Sequence, residues 1–62
     1  MQELGRLREE RKRSRLTQEE LARVSGVNRI TIARLETGVT KARPGTVRKL
    51  ARALKVKPEE LV

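Results

Sequence analysis

Arg29 and Arg34 are the residues of this chain best equipped to recognise something. Each guanidinium presents a planar fork of N–H donors, and that fork matches the O6 and N7 acceptors of guanine in the major groove of DNA. Ile30 stands beside them. An isoleucine aimed away from a core can bury itself against a thymine methyl; the bland alternative is an ordinary exposed apolar residue. Thr31 and Ala33 are short and would let a helix approach closely. Arg29, Ile30, Thr31 and Arg34 are therefore the candidate base-reading set. Catalysis has no comparable set. The chain holds no histidine and no cysteine, no serine beside a base and no carboxylate cluster facing a cavity, so neither an enzyme nor a metal or other cofactor is expected.

The elements that must position these residues lie in residues 18–37. Thr17 is a good N-cap, and Glu20 follows at capping-box spacing. Leu21 and Ala22 give the first helix its buried edge. Gly26 breaks the pattern and permits the positive φ that a tight corner needs. Asn28 is the next N-cap, and Ile32, Leu35 and Glu36 then recur at helical spacing until Gly38 stops the run. Two short helices joined by a three- or four-residue turn form a helix-turn-helix unit. Ala22 supports that geometry, because helices crossing closely tolerate only a small side chain there. The second helix would show Arg29, Ile30, Ala33, Arg34 and Thr37 on one outward face, a shape suited to the major groove.

Sixty-two residues allow one domain, residues 1–62. A domain of this size buries only about 60% of its unfolded surface, so its stability is marginal. No aromatic residue, disulfide or Cys/His zinc site can help. Sixteen basic residues against eight acidic ones leave +8. That excess calls for an anionic partner, nucleic acid first and a membrane surface second. Apolar residues never run more than two together, so no bilayer span or signal-peptide core is present. A cytoplasmic, nucleoid-associated location is expected.

The flanking segments read as follows. Leu4, Leu7, Arg11 and Ser14 form one helical stripe, which predicts a first helix from residue 1 to about residue 14. Arg11 sits where an apolar residue belongs, and a buried unpaired guanidinium is costly. Glu36, on the inward edge beside Ile32 and Leu35, is the candidate partner; snorkelling to solvent is the alternative. Arg11, Lys12, Arg13 and Arg15 make a basic cluster, either solvated or lying along DNA. Leu16 re-enters the core. After Gly38, residues 39–43 are irregular, and Val39 has no assigned role. Pro44 suits a first helical turn. Val47, Leu50, Ala51 and Leu54 make the buried face of a fourth helix, with Arg48, Lys49, Arg52 and Lys55 solvated outside. Pro58, Glu59 and Glu60 begin a fifth helix of about one turn, although Lys57 is a poor cap. Leu61 and Val62 form an apolar end, read equally as a self-association surface or a frayed terminus.

Gln18, Leu21, Ala22, Gly26, Val27, Ile32, Leu35, Glu36 and Gly38, in register, resemble the signature of the phage repressor/Cro-like (lambda-repressor-like, XRE-type) helix-turn-helix family. The resemblance extends over residues 7–61. It implies an all-α, compact five-helix DNA-binding domain with the helix-turn-helix at helices 2 and 3, working as a homodimer on operator DNA. It implies that Gln18 touches a phosphate and braces a base-reading side chain. The start of that helix also offers N–H groups to phosphate. Lys41 and Arg43 would lie in a loop along the sugar-phosphate backbone, with Asn28 and Thr37 as further phosphate candidates. The family pairs a helix-one arginine with Glu36; an ungapped match places it at Arg11, and Arg8 is the alternative. Relatives often have a shorter, glycine-containing turn after helix one, which this chain lacks. The function implied is a sequence-specific regulator of transcription, a repressor reading a palindromic double-stranded operator. The alternative is an antitoxin or restriction-modification controller that uses the same fold with a toxin or other protein partner. A membrane-surface peptide fits poorly, because Gly26, Gly38 and Pro44 interrupt any long amphipathic helix.

Overall fold

The computed structural model describes residues 1–62. Four α-helices follow one another: α1 (Leu7–Arg13), α2 (Gln18–Ser25), α3 (Arg29–Glu36) and α4 (Pro44–Leu54). A single 3-10 turn, Pro58–Glu60, comes last. The helix starts follow local chemistry. At α2 the Thr17 hydroxyl accepts the Glu20 N–H at 3.0 Å while the Glu20 carboxylate accepts the Thr17 N–H at 2.8 Å. Those two bonds hold the Glu20 carboxyl below its ordinary pKa. At α3 the Asn28 side-chain oxygen accepts the Ile30 N–H at 2.7 Å. Pro44 opens α4, where its missing N–H is no loss.

Three helices stop in the same way. Just past the ends of α1, α3 and α4 a residue adopts a left-handed backbone: Arg15 (φ 58°) and Gly38 (φ 78°) two residues on, and Lys55 (φ 58°) directly after Leu54. The residue beyond each donates back into the helix, Leu16 to Arg11, Val39 to Arg34 and Val56 to Ala51. This is the Schellman closure, usually completed by an apolar contact. Leu16 and Val56 make that contact with the core; Val39 does not and stays 73% exposed. At Arg15 and Lys55 a side chain occupies a conformation that costs roughly 1–2 kcal/mol without glycine.

Three expectations need correction. The first helix does not begin at residue 1; it begins at Leu7. The preceding segment pairs with the loop after α3 instead. Gln2 donates to the Ala42 carbonyl at 2.9 Å and Ala42 returns the bond at 2.7 Å. Leu4 inserts into the core at 1% exposure, and the Arg6 N–H is satisfied by the Leu61 carbonyl at 2.9 Å. Helical continuation through Gly5 would forfeit these bonds, and glycine favours helix least after proline. The fold also has four helices, not five. Glu60 folds back to accept the Lys57 N–H at 2.7 Å, and Leu61, fully buried, then leaves the turn for the core. Leu61 is thus a core residue and no part of an exposed apolar end; Val62 alone stays partly exposed, at 44%.

The core is aliphatic. Leu7, Leu21, Ile32, Leu35, Leu50 and Leu61 are its most deeply buried members, along with Leu4. Each contributes on the order of 1.5–3 kcal/mol by leaving water. Val47, Leu50, Ala51 and Leu54 all face inward from α4, as their spacing predicts. Two charged residues join them, Arg11 and Glu10; the burial of Glu10 was not foreseen.

Candidate nucleic-acid interface

The corner between α2 and α3 is three residues long. Gly26 takes φ 76° and donates to the Ala22 carbonyl at 2.9 Å. The Ser25 hydroxyl accepts the Val27 N–H at 3.1 Å, Val27 plugs into the core, and Asn28 caps the next helix. With Ile32 and Leu35 held inside, the rotation of α3 is set. Arg29, Ile30 and Arg34 are exposed, while Thr31 and Ala33 are half-buried beside them. Ile30 leaves 54% of its surface in water, on a face otherwise polar.

The inner side of α3 is tied down by a polar network. Arg11 grips Glu36 with both ends of its fork, Nε to Oε2 at 2.6 Å and Nη2 to Oε1 at 3.1 Å. Its third donor, Nη1, meets the Leu16 carbonyl at 2.8 Å. Gln18 adds Nε2 to Glu36 Oε1 at 3.1 Å. The two charged side chains are nearly dry, at 11% and 2% exposure. Burial alone would push the Glu36 carboxyl up. Hydrogen bonds from Arg11 and Gln18, with the charges of Arg11 and Arg8, outweigh it and hold the carboxyl below its ordinary range. The Glu36 hydrogen bond raises Arg11 in turn. Arg11 rather than Arg8 is therefore the partner. Arg8 contributes charge and stays exposed.

The expected phosphate set divides by what each side chain still has to offer. Lys41 and Arg43 are exposed and take part in no ion pair. Asn28 uses its carbonyl oxygen as the cap and keeps its amide hydrogens, and Gln18 keeps one of its two. Thr37 is the most committed. Its N–H and its hydroxyl both donate to the last carbonyls of α3. A shallow groove of about 250 Å³ joins the two sets, lined by Thr31 and Arg34 on one side and Lys41 and Arg43 on the other. A second concavity, at the corner itself, brings Asn28 and Arg29 together with Glu19 and Arg23.

The helix-turn-helix family model matches residues 7–61, almost the whole chain and all four helices. This chain belongs to the helix-turn-helix family. Within the solved structures, the crystal structure of the restriction-modification controller protein C.AhdI from Aeromonas hydrophila is similar to it throughout. The TM-score is 0.88 at 38% identity, over 97% of this chain and 92% of that one. No curated protein matches the chain. As a helix-turn-helix protein of the XRE, Cro-like type, it is a DNA-binding regulator of transcription, and double-stranded DNA is its partner.

Sequence reasoning left Met1, Thr40, Ala42 and Thr46 out of the groove that they also line. Met1 lines the groove that holds Arg34 and Lys41, and 72% of it is exposed. The Gln2–Ala42 pairing puts it there. Main-chain pairing of that kind leaves no pattern in side-chain types, so no signal in the sequence could have found it.

Proposed function

We propose that this regulator reads a palindromic operator through two copies, one helix α3 in each of two successive major grooves. Arg29, Ile30, Thr31 and Arg34 meet base edges. Gln18, Asn28, Lys41 and Arg43 meet phosphates, with Thr37 the weakest of that set because its donors are engaged. Base contacts give sequence and phosphate contacts give position. The observation that carries this reading is the groove shared by Thr31, Arg34, Lys41 and Arg43, which sets base-reading and phosphate-holding chemistry side by side.

The size of one copy supports the use of two on a palindrome. The backbone of one copy extends 24 Å at most, whereas half-sites one helical turn apart lie about 34 Å from centre to centre. The operator, the repressing sign and a cytoplasmic, nucleoid-associated location belong to the same reading. A second reading is favoured by the likeness to C.AhdI: the genes controlled are those of a restriction-modification system. Selection of bound sequences from a random duplex library, at stated salt, tests the proposal. Enrichment of an inverted repeat supports it. Retention of all sequences alike, with only the salt dependence of phosphate binding, refutes it.

A further inference from the structure

We propose that the trough between the end of α2 and the outer face of α4 is a docking site for an acidic segment of a partner protein. It rests on the regulator reading, since a protein held on DNA acts through whatever else it binds. The trough encloses about 530 Å³ and is open to solvent on the face away from the core. Arg48, Lys49 and Arg52 supply its charge, Val24 its apolar contact, and Gly45 and Ala53 the small residues that leave it hollow. The Arg48 guanidinium lies across Gly45, 4.0 Å from where a β-carbon would stand.

Four observations converge on that occupant. Arg48, Lys49 and Arg52 have no carboxylate in the chain: its two ion pairs are Arg11–Glu36 and Arg13–Glu10. They carry three unanswered positive charges, so the ligand is anionic. Val24 is 59% exposed among them. An apolar side chain between cations matches a peptide with mixed acidic and apolar residues better than a sugar-phosphate backbone. The trough contains none of the residues assigned to DNA; Gln18 and Ser25 stand at opposite ends of α2, roughly 10 Å apart at 1.5 Å per residue. Arg43 and Asn28 border the trough through Gly45 and Ser25 without lining it, so the double variant below is read on DNA as well as on the peptide. A second copy of this chain is the wrong occupant, because facing troughs would set like charges against each other.

The test uses the full chain, ¹⁵N-labelled, at about physiological ionic strength, where weak surface attraction is screened. The probe is a short synthetic peptide of glutamates flanking one leucine. Saturable shifts centred on the amides of Val24, Gly45, Lys49 and Ala53 are expected. Arg48→Ala with Arg52→Ala should weaken the peptide by about tenfold, two exposed charge pairs' worth, and leave the selected DNA site bound within about twofold. A serine in place of the peptide's leucine should weaken it further. Shifts centred on Arg29, Arg34 and Lys41 would overturn the proposal, since the peptide would merely imitate DNA. So would a double variant that loses affinity for every DNA sequence with a flatter salt dependence, because the trough would then be a phosphate contact. An unmoved trough in a protein that still selects its DNA site overturns the docking site alone and leaves the regulator reading standing.

Discussion

Glu36 accepts two hydrogen bonds from Arg11, a residue 25 positions earlier in the chain. That contact joins α1 to the inner side of α3, and Gln18 brings α2 to the same carboxylate. The helix that carries Arg29 and Arg34 is thus anchored from behind by charge as well as by Ile32 and Leu35. Removing one partner strands the other in a nearly dry site, which costs roughly 3–5 kcal/mol. A domain of this length holds on the order of 3–9 kcal/mol in total. Glu36→Ala should therefore be largely unfolded or melt far below the parent, followed by far-ultraviolet circular dichroism because no aromatic residue reports. Replacing both partners with leucine should recover most of the loss. A Glu36→Ala melting curve matching the parent's would reject the buried pair.

The same carboxylate predicts an acid limit. Its pKa is lower in the folded protein than the ordinary value of 4.5. Below that value the unfolded chain takes up a proton before the folded one does, so the unfolded state gains. The stabilisation is complete at neutral pH, begins to fade as pH falls past 4.5, and is gone once pH passes the folded pKa. Urea midpoints measured from pH 7 downward should fall in that window. They should fall less in Glu36→Gln. Parallel curves for parent and variant would contradict this origin.

One substitution made at two glycines should have opposite signs. Gly38 sits at φ 78° with open space around its α-carbon, so alanine there meets only backbone strain. Gly38→Ala should destabilise by roughly 1–2 kcal/mol. Gly45 lies in the first turn of α4 with no positive φ, and an added β-carbon would meet only Arg48 Nη2, at an ordinary contact distance of 4.0 Å. Gly45→Ala should stabilise by about 0.4–1 kcal/mol, through the unfolded chain's lost freedom. Thermal melts of both variants decide it; equal signs would mean that the backbone conformations are misassigned.

Lys41 stands exposed beside Ala42, whose main chain is held by Gln2. If it answers a phosphate, Lys41→Ala should weaken all DNA sequences alike and lower the slope of log affinity against log salt by about one. An unchanged slope removes Lys41 from the interface.

Wherever a side chain's chemistry repeats or caps, the fold was legible in the sequence. Thr17 with Glu20, Gly26, Asn28, Pro44 and the Val47–Leu50–Ala51–Leu54 spacing each announce the structure they form. Arg11 was legible for a different reason: a cation on an apolar stripe demands a partner. Main-chain events were not. The Gln2–Ala42 pairing replaces a helix that the Leu4–Leu7 spacing suggests, and it brings Met1 to the groove lined by Arg34 and Lys41. Arg15 and Lys55 adopt left-handed backbones without a glycine to mark them. Leu61 stands alone in the sequence, with no periodic neighbours, so its place in the core could be learned only from the packed chain. Exposure of Arg29, Ile30 and Arg34 follows from the inward Ile32 and Leu35 and was derivable.

The most direct test of the account is the affinity of Arg34→Ala for the selected operator and for an unrelated duplex, both at one stated salt concentration. A loss of roughly 1–3 kcal/mol on the operator, relaxed preference at one base pair, and a much smaller change on the unrelated duplex are expected. Equal losses on the two duplexes would make Arg34 a phosphate contact and contradict base reading by the outer face of α3.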